Sequence, residues 1–436
     1  MNTATALEQR QREGKSIRVG LVGVGQMGAG FVAQTSLMKG MDVVVAADVD
    51  LQRALSAFGA IGISEDELVI LPPDAPLHYA DEAITAGKRV VTTNASLVTA
   101  ITALDAVVEA TGIPSIGALM AYRSILARRH VVMLNVETDV TVGYLLKRMA
   151  DSAGVIYTTA AGDEPGAIAE LYDFATSLGF EVVAAGKGKN NPLDHTATAQ
   201  QLLEKAQLQE MSPKMLASFV DGTKTMVEMT AVANATGLVP DVSGMHGPSA
   251  TPDTLAQIFI PREDGGILHQ RGVVDYALGG IAPGVFLIFT TDQPKITKDL
   301  RYLRLGTGPY WALYRPYHLA NIETPLSVAQ AVLYHQTTLA ARGVPVAETT
   351  AVAKKDLVEG DVIDGLGGTM VYGNIERADI ARTRRLLPLG ISERARVVRP
   401  VAQGQTLSYD DVELDSQSFI VHARRMQDIL VQGEPG

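Results

Sequence analysis

Apolar positions in the first part of the chain fall into short runs separated by amphipathic stretches. Ile17, Val19, Leu21 and Val22 make a run with the composition of a buried strand, and it stops at Gly23-Val24-Gly25-Gln26-Met27-Gly28. A helical segment then leads to Lys39-Gly40, and a second strand-like run, 41–47, ends in Asp48. Strand, glycine turn, helix and strand in this order predict a parallel-sheet domain of the α/β class. The alternation continues with a short helix at 51–58 and a helix-bearing insertion at 59–87 that turns at Pro72-Pro73. Next come a strand at 89–93, a strand closing in a small-residue turn at 103–112, a helix at 115–129 and a strand at 130–134. A helix from Val140, a strand at 155–159, a helix at 167–178 and a strand at 180–184 follow.

Beyond 184 the pattern changes. A loop of glycine and lysine spans 185–192, and Asp221-Gly222 opens a long apolar helix through Met226, Met229, Val232 and Ala233. Aromatics concentrate at 310–319, and from about 349 short, glycine-punctuated runs predict a small β-rich module. The expected organisation is a Rossmann-type domain at 1–160, an α+β central catalytic domain at 161–348 and a β-rich domain at 349–436.

Composition narrows the function classes. The chain has 436 residues, 47% of them hydrophobic and 19% charged, enough for two or three cores. Its net charge of -11 argues against nucleic acid or an anionic membrane as partner, since both are held by basic surfaces. An anionic ligand must instead meet a local cluster of lysine or arginine. The absence of cysteine excludes disulfides, thiolate metal sites and a cysteine nucleophile, and it fits a cytoplasmic location. Residues 1–15 have no apolar core of a secretory signal, and no apolar run approaches 18 residues.

The glycine turn fits G-x-G-x-x-G, in which each glycine has its own task. Gly23 makes the tight turn, Gly25 admits a pyrophosphate to the backbone, and Gly28 lets the helix pack on the strand. Gln26 and Met27 open the helix whose free N–H groups face the phosphates. Asp48, 20 residues after Gly28, stands where an acid holds an adenosine ribose. Arg53 either meets a 2′-phosphate or is a solvated helix residue, leaving NAD and NADP open. Ala110, Thr111 and Gly112 are expected at the carboxyl edge of the sheet beside the cofactor. Asn135 is expected at the nicotinamide ribose or the substrate, while Asp139 suits either such a role or a helix cap.

Asp163 and Glu164 read as first-turn helix acids or as ligands of a hard cation. Lys187 and Lys189, separated by glycine and followed by Asn190, are the best candidates for a substrate phosphate or carboxylate. Asp221, Lys224 and Glu228 recur at spacings of three and four, so they share a helical face. Lys224 suits proton donation with the two acids in support, or a plain salt bridge with Glu228. Arg315 and His318 can reach an anionic substrate; His246 has no assigned role.

These motifs, with Glu109-Ala110-Thr111-Gly112, Asn135-Val136-Glu137-Thr138-Asp139, Tyr314-Arg315-Pro316-Tyr317-His318 and the terminal module, resemble homoserine dehydrogenase-like oxidoreductases with a C-terminal SAF domain. Among these the chain is most similar to the 1-deoxy-D-xylulose 5-phosphate reductoisomerase-like enzymes. The resemblance implies NADPH, a divalent cation (magnesium or manganese) and a homodimer joined through the central domain. It also implies reductive isomerisation of 1-deoxy-D-xylulose 5-phosphate to 2-C-methyl-D-erythritol 4-phosphate, in isoprenoid precursor synthesis. The rival readings are a homoserine dehydrogenase-like reduction of another small aldehyde and a non-catalytic nucleotide sensor.

Overall fold

In the computed structural model, which describes residues 2–209 and 211–433, the early apolar runs become seven parallel strands joined mostly by helices. They are β1 (Ile17–Val22), β2 (Met41–Ala47), β3 (Leu68–Leu71), β4 (Arg89–Thr92), β5 (Ala106–Glu109), β6 (His130–Met133) and β7 (Tyr157–Thr159). Their order is β3-β4-β2-β1-β5-β6-β7. The chain winds outward from β1 through β2 and then returns to β5 on the other side of β1. That reversal opens a crevice at the carboxyl ends of β1 and β5, where nucleotides bind in doubly wound sheets. Helices cover both faces, which is why the strands are almost continuously apolar. Val19, Leu21, Phe31 and Phe58 fill one layer, and Val45, Val98, Val107 and Met120 the other.

This unit runs to Asp163 and takes in two later pieces, Leu319–Ala340 and His422–Leu430. The helix Ala320–Tyr334 joins the first layer through Val328 and Ala329. Gln427, in the final helix Phe419–Gly433, accepts from the amide of Leu145 at 3.0 Å and donates to the carbonyl of Thr141 at 3.1 Å.

The second unit holds Glu164–His318, Ala341–Val421 and the chain from Val431. Its mixed sheet is built from β8 (Glu181–Lys189), β9 (Val239–Pro240), β10 (Ser249–Ala250), β11 (Val273–Gly279), β12 (Val285–Thr290) and β13 (Tyr310–Arg315). Strands β10, β11 and β8 run parallel, β12 and β13 continue antiparallel, and β9 pairs with β11. Two small antiparallel ribbons follow, β14 (Ala347–Ala353) with β15 (Val371–Arg377) and β16 (Arg396–Val397) with β17 (Val412–Glu413). The first ribbon packs on the helix Thr223–Thr236: Asn234 accepts from the amides of Val346 and Ala347, and the Thr230 and Thr349 hydroxyls bond at 2.8 Å. No helix among the described residues is long and apolar enough to cross a membrane.

Three local readings change. The strand expected to stop at Ala184 runs on through the lysine pair to Lys189, so 185–189 is not a loop. Its glycines serve packing: a Cβ on Gly186 would lie 2.2 Å from the Asp275 carbonyl, and one on Gly188 would lie 2.1 Å from the Ala282 nitrogen. The helix expected from Val140 begins at Val136, which puts Asp139 inside it and makes Asn135 the cap. The 59–87 insertion contributes β3 to the sheet.

Candidate functional site

Lys187 and Lys189 lie two residues apart on β8, so both side chains leave the same face of the sheet. The helices Glu164–Ser177 and Thr223–Thr236 pack on that face, and each sends one carboxylate to Lys187. The Lys187 ammonium bonds Glu164 and Glu228, with all three side chains nearly out of reach of solvent. Burial alone would lower the lysine pKa, but the two carboxylates outweigh it and hold the value well above the ordinary one. Lys224, one turn before Glu228, brings its ammonium within 3.8 Å of that acid.

His318 joins the group with Nε2 at 3.6 Å from Glu164, while its Nδ1 lies 2.7 Å from the carbonyl of Pro283. A carbonyl only accepts, so Nδ1 carries a proton and Nε2 is the basic nitrogen of the neutral ring. The cluster therefore joins a proton acceptor, a proton donor and a buried ion triad.

Lys189 stands next along the same face and donates to the Phe219 carbonyl at 2.7 Å. Burial, aided by the positive charge of Lys187, lowers its pKa to about 8. Asn190 follows at the exposed end of the strand. Arg315 ends β13 with its guanidinium 2.9 Å from Glu170 and stacked over the Tyr317 ring. The other aromatics of that run are largely core: Trp311 is buried and stacks on Phe289.

Asp221, expected to support Lys224, turns elsewhere. It is fully buried, with Oδ1 accepting from the Thr223 amide at 2.8 Å and Oδ2 facing the Lys354 ammonium at 2.7 Å. Lys354 was not foreseen; its one sequence signal is its place directly after the apolar Ala351-Val352-Ala353.

Glu164, Glu228 and the His318 Nε2 are donors of the kind that hold a divalent cation. The Lys187 ammonium bonds both carboxylates and balances one of their two charges. Asp163 and Glu164, the expected ligands, offer carboxylate oxygens of the kind a divalent cation takes, with Glu228 close to Glu164. Asp163 itself is the last residue of the first unit.

In the first unit the glycine turn has the form its spacing predicts. Gly23 adopts φ +92°, and a Cβ there would strike the backbone of Ala110 and Thr111 at the end of β5. A Cβ on Gly28 would lie 2.1 Å from the Gly23 carbonyl oxygen, whereas one on Gly25 would meet nothing within 4 Å. Gly25 caps the helix Gln26–Ser36 without any side-chain hydrogen bond, which leaves the first amides open to a phosphate. Asp48 ties the turn down, accepting from the amides of Val24 at 2.7 Å and Asp50 at 2.9 Å. Each oxygen keeps acceptor capacity for a ribose hydroxyl. Arg53 is largely exposed and 3.5 Å from Asp50.

Thr111 bonds Glu109 through its amide and hydroxyl, and burial raises the Glu109 pKa to about 7 against those bonds. Gly112 takes φ +67° beside them. Asn135, expected to reach a ligand, is fully buried with its amide in use. Its oxygen accepts from the Thr138 amide at 3.1 Å, and its nitrogen donates to the Ile113 carbonyl at 3.1 Å.

Residues 162–324 match the family model described as "Oxidoreductase DRL, catalytic domain". The matched segment holds Glu164, Lys187, Lys189, Lys224, Glu228 and His318, and the class it shows is oxidoreductase. No match was found among curated proteins. Solved structures similar to the chain include a probable dehydrogenase from Thermotoga maritima, with 12% identity, a TM-score of 0.38, and 63% of this chain and 72% of that one covered. Scyllo-inositol dehydrogenase from Lactobacillus casei, with bound NAD(H) and scyllo-inositol, gives 12%, 0.36, 63% and 74%. The WlbA dehydrogenase from Bordetella pertussis, in complex with NADH and UDP-GlcNAcA, gives 20%, 0.28, 41% and 49%, so the match spans about half of that chain.

Proposed function

We propose that the chain is an NADPH-dependent reductoisomerase that converts 1-deoxy-D-xylulose 5-phosphate to 2-C-methyl-D-erythritol 4-phosphate. The observation that carries this reading is Lys189, a buried lysine on β8 that stands beside the Lys187 ion triad. In an acidic protein, Lys187 and Lys189 are buried side by side, within the segment that matches an oxidoreductase catalytic domain. A buried lysine poised near pH 8 suits a phosphorylated ligand, whose negative charge repays its desolvation. Lys189 is accordingly assigned to the phosphate, with Asn190 beside it and Arg315 at the rim.

NADPH, held by the turn through Gly23, Gly25, Gln26, Met27 and Gly28, with Asp48 and Arg53 at the adenosine ribose, supplies the hydride when bound. The remaining steps belong to side chains of the second unit. His318 Nε2 takes the proton of the substrate hydroxyl whose oxygen becomes a carbonyl as the carbon skeleton rearranges. Lys224 gives a proton to the oxygen that becomes an alcohol, and Glu228 holds its ammonium in place. Lys187 fixes both acids.

The test is incubation of the purified protein with 1-deoxy-D-xylulose 5-phosphate, NADPH and Mg2+ or Mn2+, reading NADPH absorbance and product together. Cofactor oxidation with formation of methylerythritol phosphate is expected. Absence of both ends the assignment. Reduction of an unrearranged aldehyde in a substrate panel would replace it with the homoserine dehydrogenase-like reading, and NADPH binding without turnover on any member would point to the sensor.

A further inference from the structure

Away from the lysine cluster, three side chains of the second unit converge at one point. Asp241 follows β9, His246 lies in the loop before β10, and His269 lies in the loop before β11. His246 Nε2 is 2.8 Å and His269 Nδ1 is 3.0 Å from the same oxygen, Asp241 Oδ2. The three ligand-type atoms all lie within 4.8 Å of one another, and the two imidazoles are nearly parallel, with centroids 5.9 Å apart.

Hydrogen bonding alone accounts poorly for this arrangement. The His269 amide also donates to Oδ2, at 2.8 Å, so that oxygen meets three nitrogens. Its twin, Asp241 Oδ1, is buried with no hydrogen-bond partner among the described residues, and the side chain as a whole is 1% exposed. A buried carboxylate oxygen with nothing to accept from is costly. The rings grade outward, His246 at 16% exposure and His269 at 48%, so the point of convergence is reached from solvent. The loop that carries His246 is held rigidly. Buried Asp275 on β11 accepts from the amides of His246, at 3.1 and 3.2 Å, and of Gly247 at 3.0 Å.

We propose that Asp241, His246 and His269 form a binding site for a divalent transition metal, with zinc the best match. Two imidazole nitrogens and a carboxylate are a three-ligand zinc set that leaves further positions for water. In this site both rings would turn so that the three donors share one ion, and bidentate binding by Asp241 would give its second oxygen a partner. Imidazole ligands favour borderline metals over magnesium, which distinguishes this site from an all-oxygen one. Such an ion pins the two loops that lead into β10 and β11, so its role is structural.

The full chain, stripped with a chelator and passed through a desalting column, is titrated with Zn2+ by calorimetry and with Co2+ by visible absorption. One equivalent of zinc, a Co2+ band typical of low coordination, and a raised unfolding temperature with zinc are expected. His269→Ala should weaken zinc binding by at least about 100-fold, more than loss of an outer-shell partner costs. It should also abolish the Co2+ band while leaving the metal-free unfolding temperature unchanged, because the ring is half exposed. His246→Gln provides a second variant on the more buried ligand. No stoichiometric uptake by the parent protein, or equal uptake and an equal Co2+ spectrum in both variants, would overturn the site.

Discussion

Asp221 and Lys354, 133 positions apart in the chain, form an ion pair of 2.7 Å in which both side chains are essentially buried. The Lys354 ammonium also donates to the carbonyls of Ala197 at 2.7 Å and Gly368 at 2.9 Å, so one charge gathers three segments around the start of the helix that bears Lys224 and Glu228. Breaking a buried pair from one side is far costlier than removing it whole. Lys354→Met should therefore destabilise the protein by about 3–5 kcal/mol in urea unfolding. Adding Asp221→Asn, which keeps an acceptor for the Thr223 amide, should recover a large part of that loss. A single-variant loss below about 1 kcal/mol, the range of exposed pairs, would show that the pair is solvated.

The ion triad makes a second prediction, this time about cations. In Lys187→Met, Glu164 and Glu228 face each other without their ammonium, and burial with like charge raises the pKa of one of them. A raised folded-state pKa means extra stability when the acid is protonated, lost as pH rises through that value. The variant should therefore lose stability between acid and neutral pH relative to the parent protein. With the ammonium gone, the two carboxylates become a hard-cation site. Millimolar Mg2+ should raise the unfolding temperature of Lys187→Met at pH 8 and leave the parent unmoved; equal responses would show that Lys187 does not occupy the cation's place.

These interactions also show where sequence reasoning reaches and where it stops. The glycine turn was legible because its spacing is complete within six consecutive residues and its constraints act on the backbone. A Cβ at Gly28 collides with the Gly23 carbonyl inside the turn itself, while one at Gly23 meets the Ala110 and Thr111 backbone that β5 brings alongside. The Gly186-Lys187-Gly188-Lys189 run reads as a loop in the sequence because strand and loop there differ only in what packs opposite. The deciding neighbours, Asp275, Ala282 and Phe286, are about 100 residues away. Asn135 reads as a ligand contact in the sequence although it stands before an acid-rich helical turn, and the structure uses it as the cap of that helix. The Lys224–Glu228 pair follows from its i,i+4 spacing, whereas Asp221 pairs with Lys354 rather than Lys224, a choice made by tertiary packing.

The turn itself allows folding and nucleotide binding to be separated. Gly25 sits at φ −73°, which alanine adopts freely, and its Cβ would meet no protein atom within 4 Å. Gly25→Ala should unfold at the parent temperature yet bind NADPH roughly tenfold more weakly or worse, a change of about 1.4 kcal/mol. Gly28→Ala must push a Cβ against the Gly23 carbonyl, so it should lose about 1–3 kcal/mol of stability, the usual range for overpacking. Thermal unfolding beside a fluorescence titration with NADPH distinguishes the two. Unaltered NADPH affinity in Gly25→Ala would remove the turn from the cofactor site.

Lys189 supplies the pH dependence. Burial, with Lys187 adding to it, puts its pKa at about 8, so the free enzyme loses this charge just above neutrality. If the protonated form binds the substrate phosphate, kcat/KM should fall about tenfold per pH unit above that point, because kcat/KM reports the free enzyme. The bound phosphate dianion holds the proton on Lys189, so the same limb in kcat should move to higher pH. Lys189→Met should raise KM for the substrate far more than KM for NADPH and abolish the limb. Lys189→Arg, protonated at every pH used, should retain substrate binding and flatten the profile. The folding equilibrium carries the opposite sign to a raised acid. Between about 8 and lysine's ordinary 10.5 the unfolded chain binds more protons at this residue, so its contribution to stability grows with pH. Activity should thus decline over a range in which Lys189 makes the protein no less stable, which separates loss of substrate binding from unfolding. A kcat/KM limb that persists unchanged in Lys189→Met would assign the titration, and the phosphate, to another group.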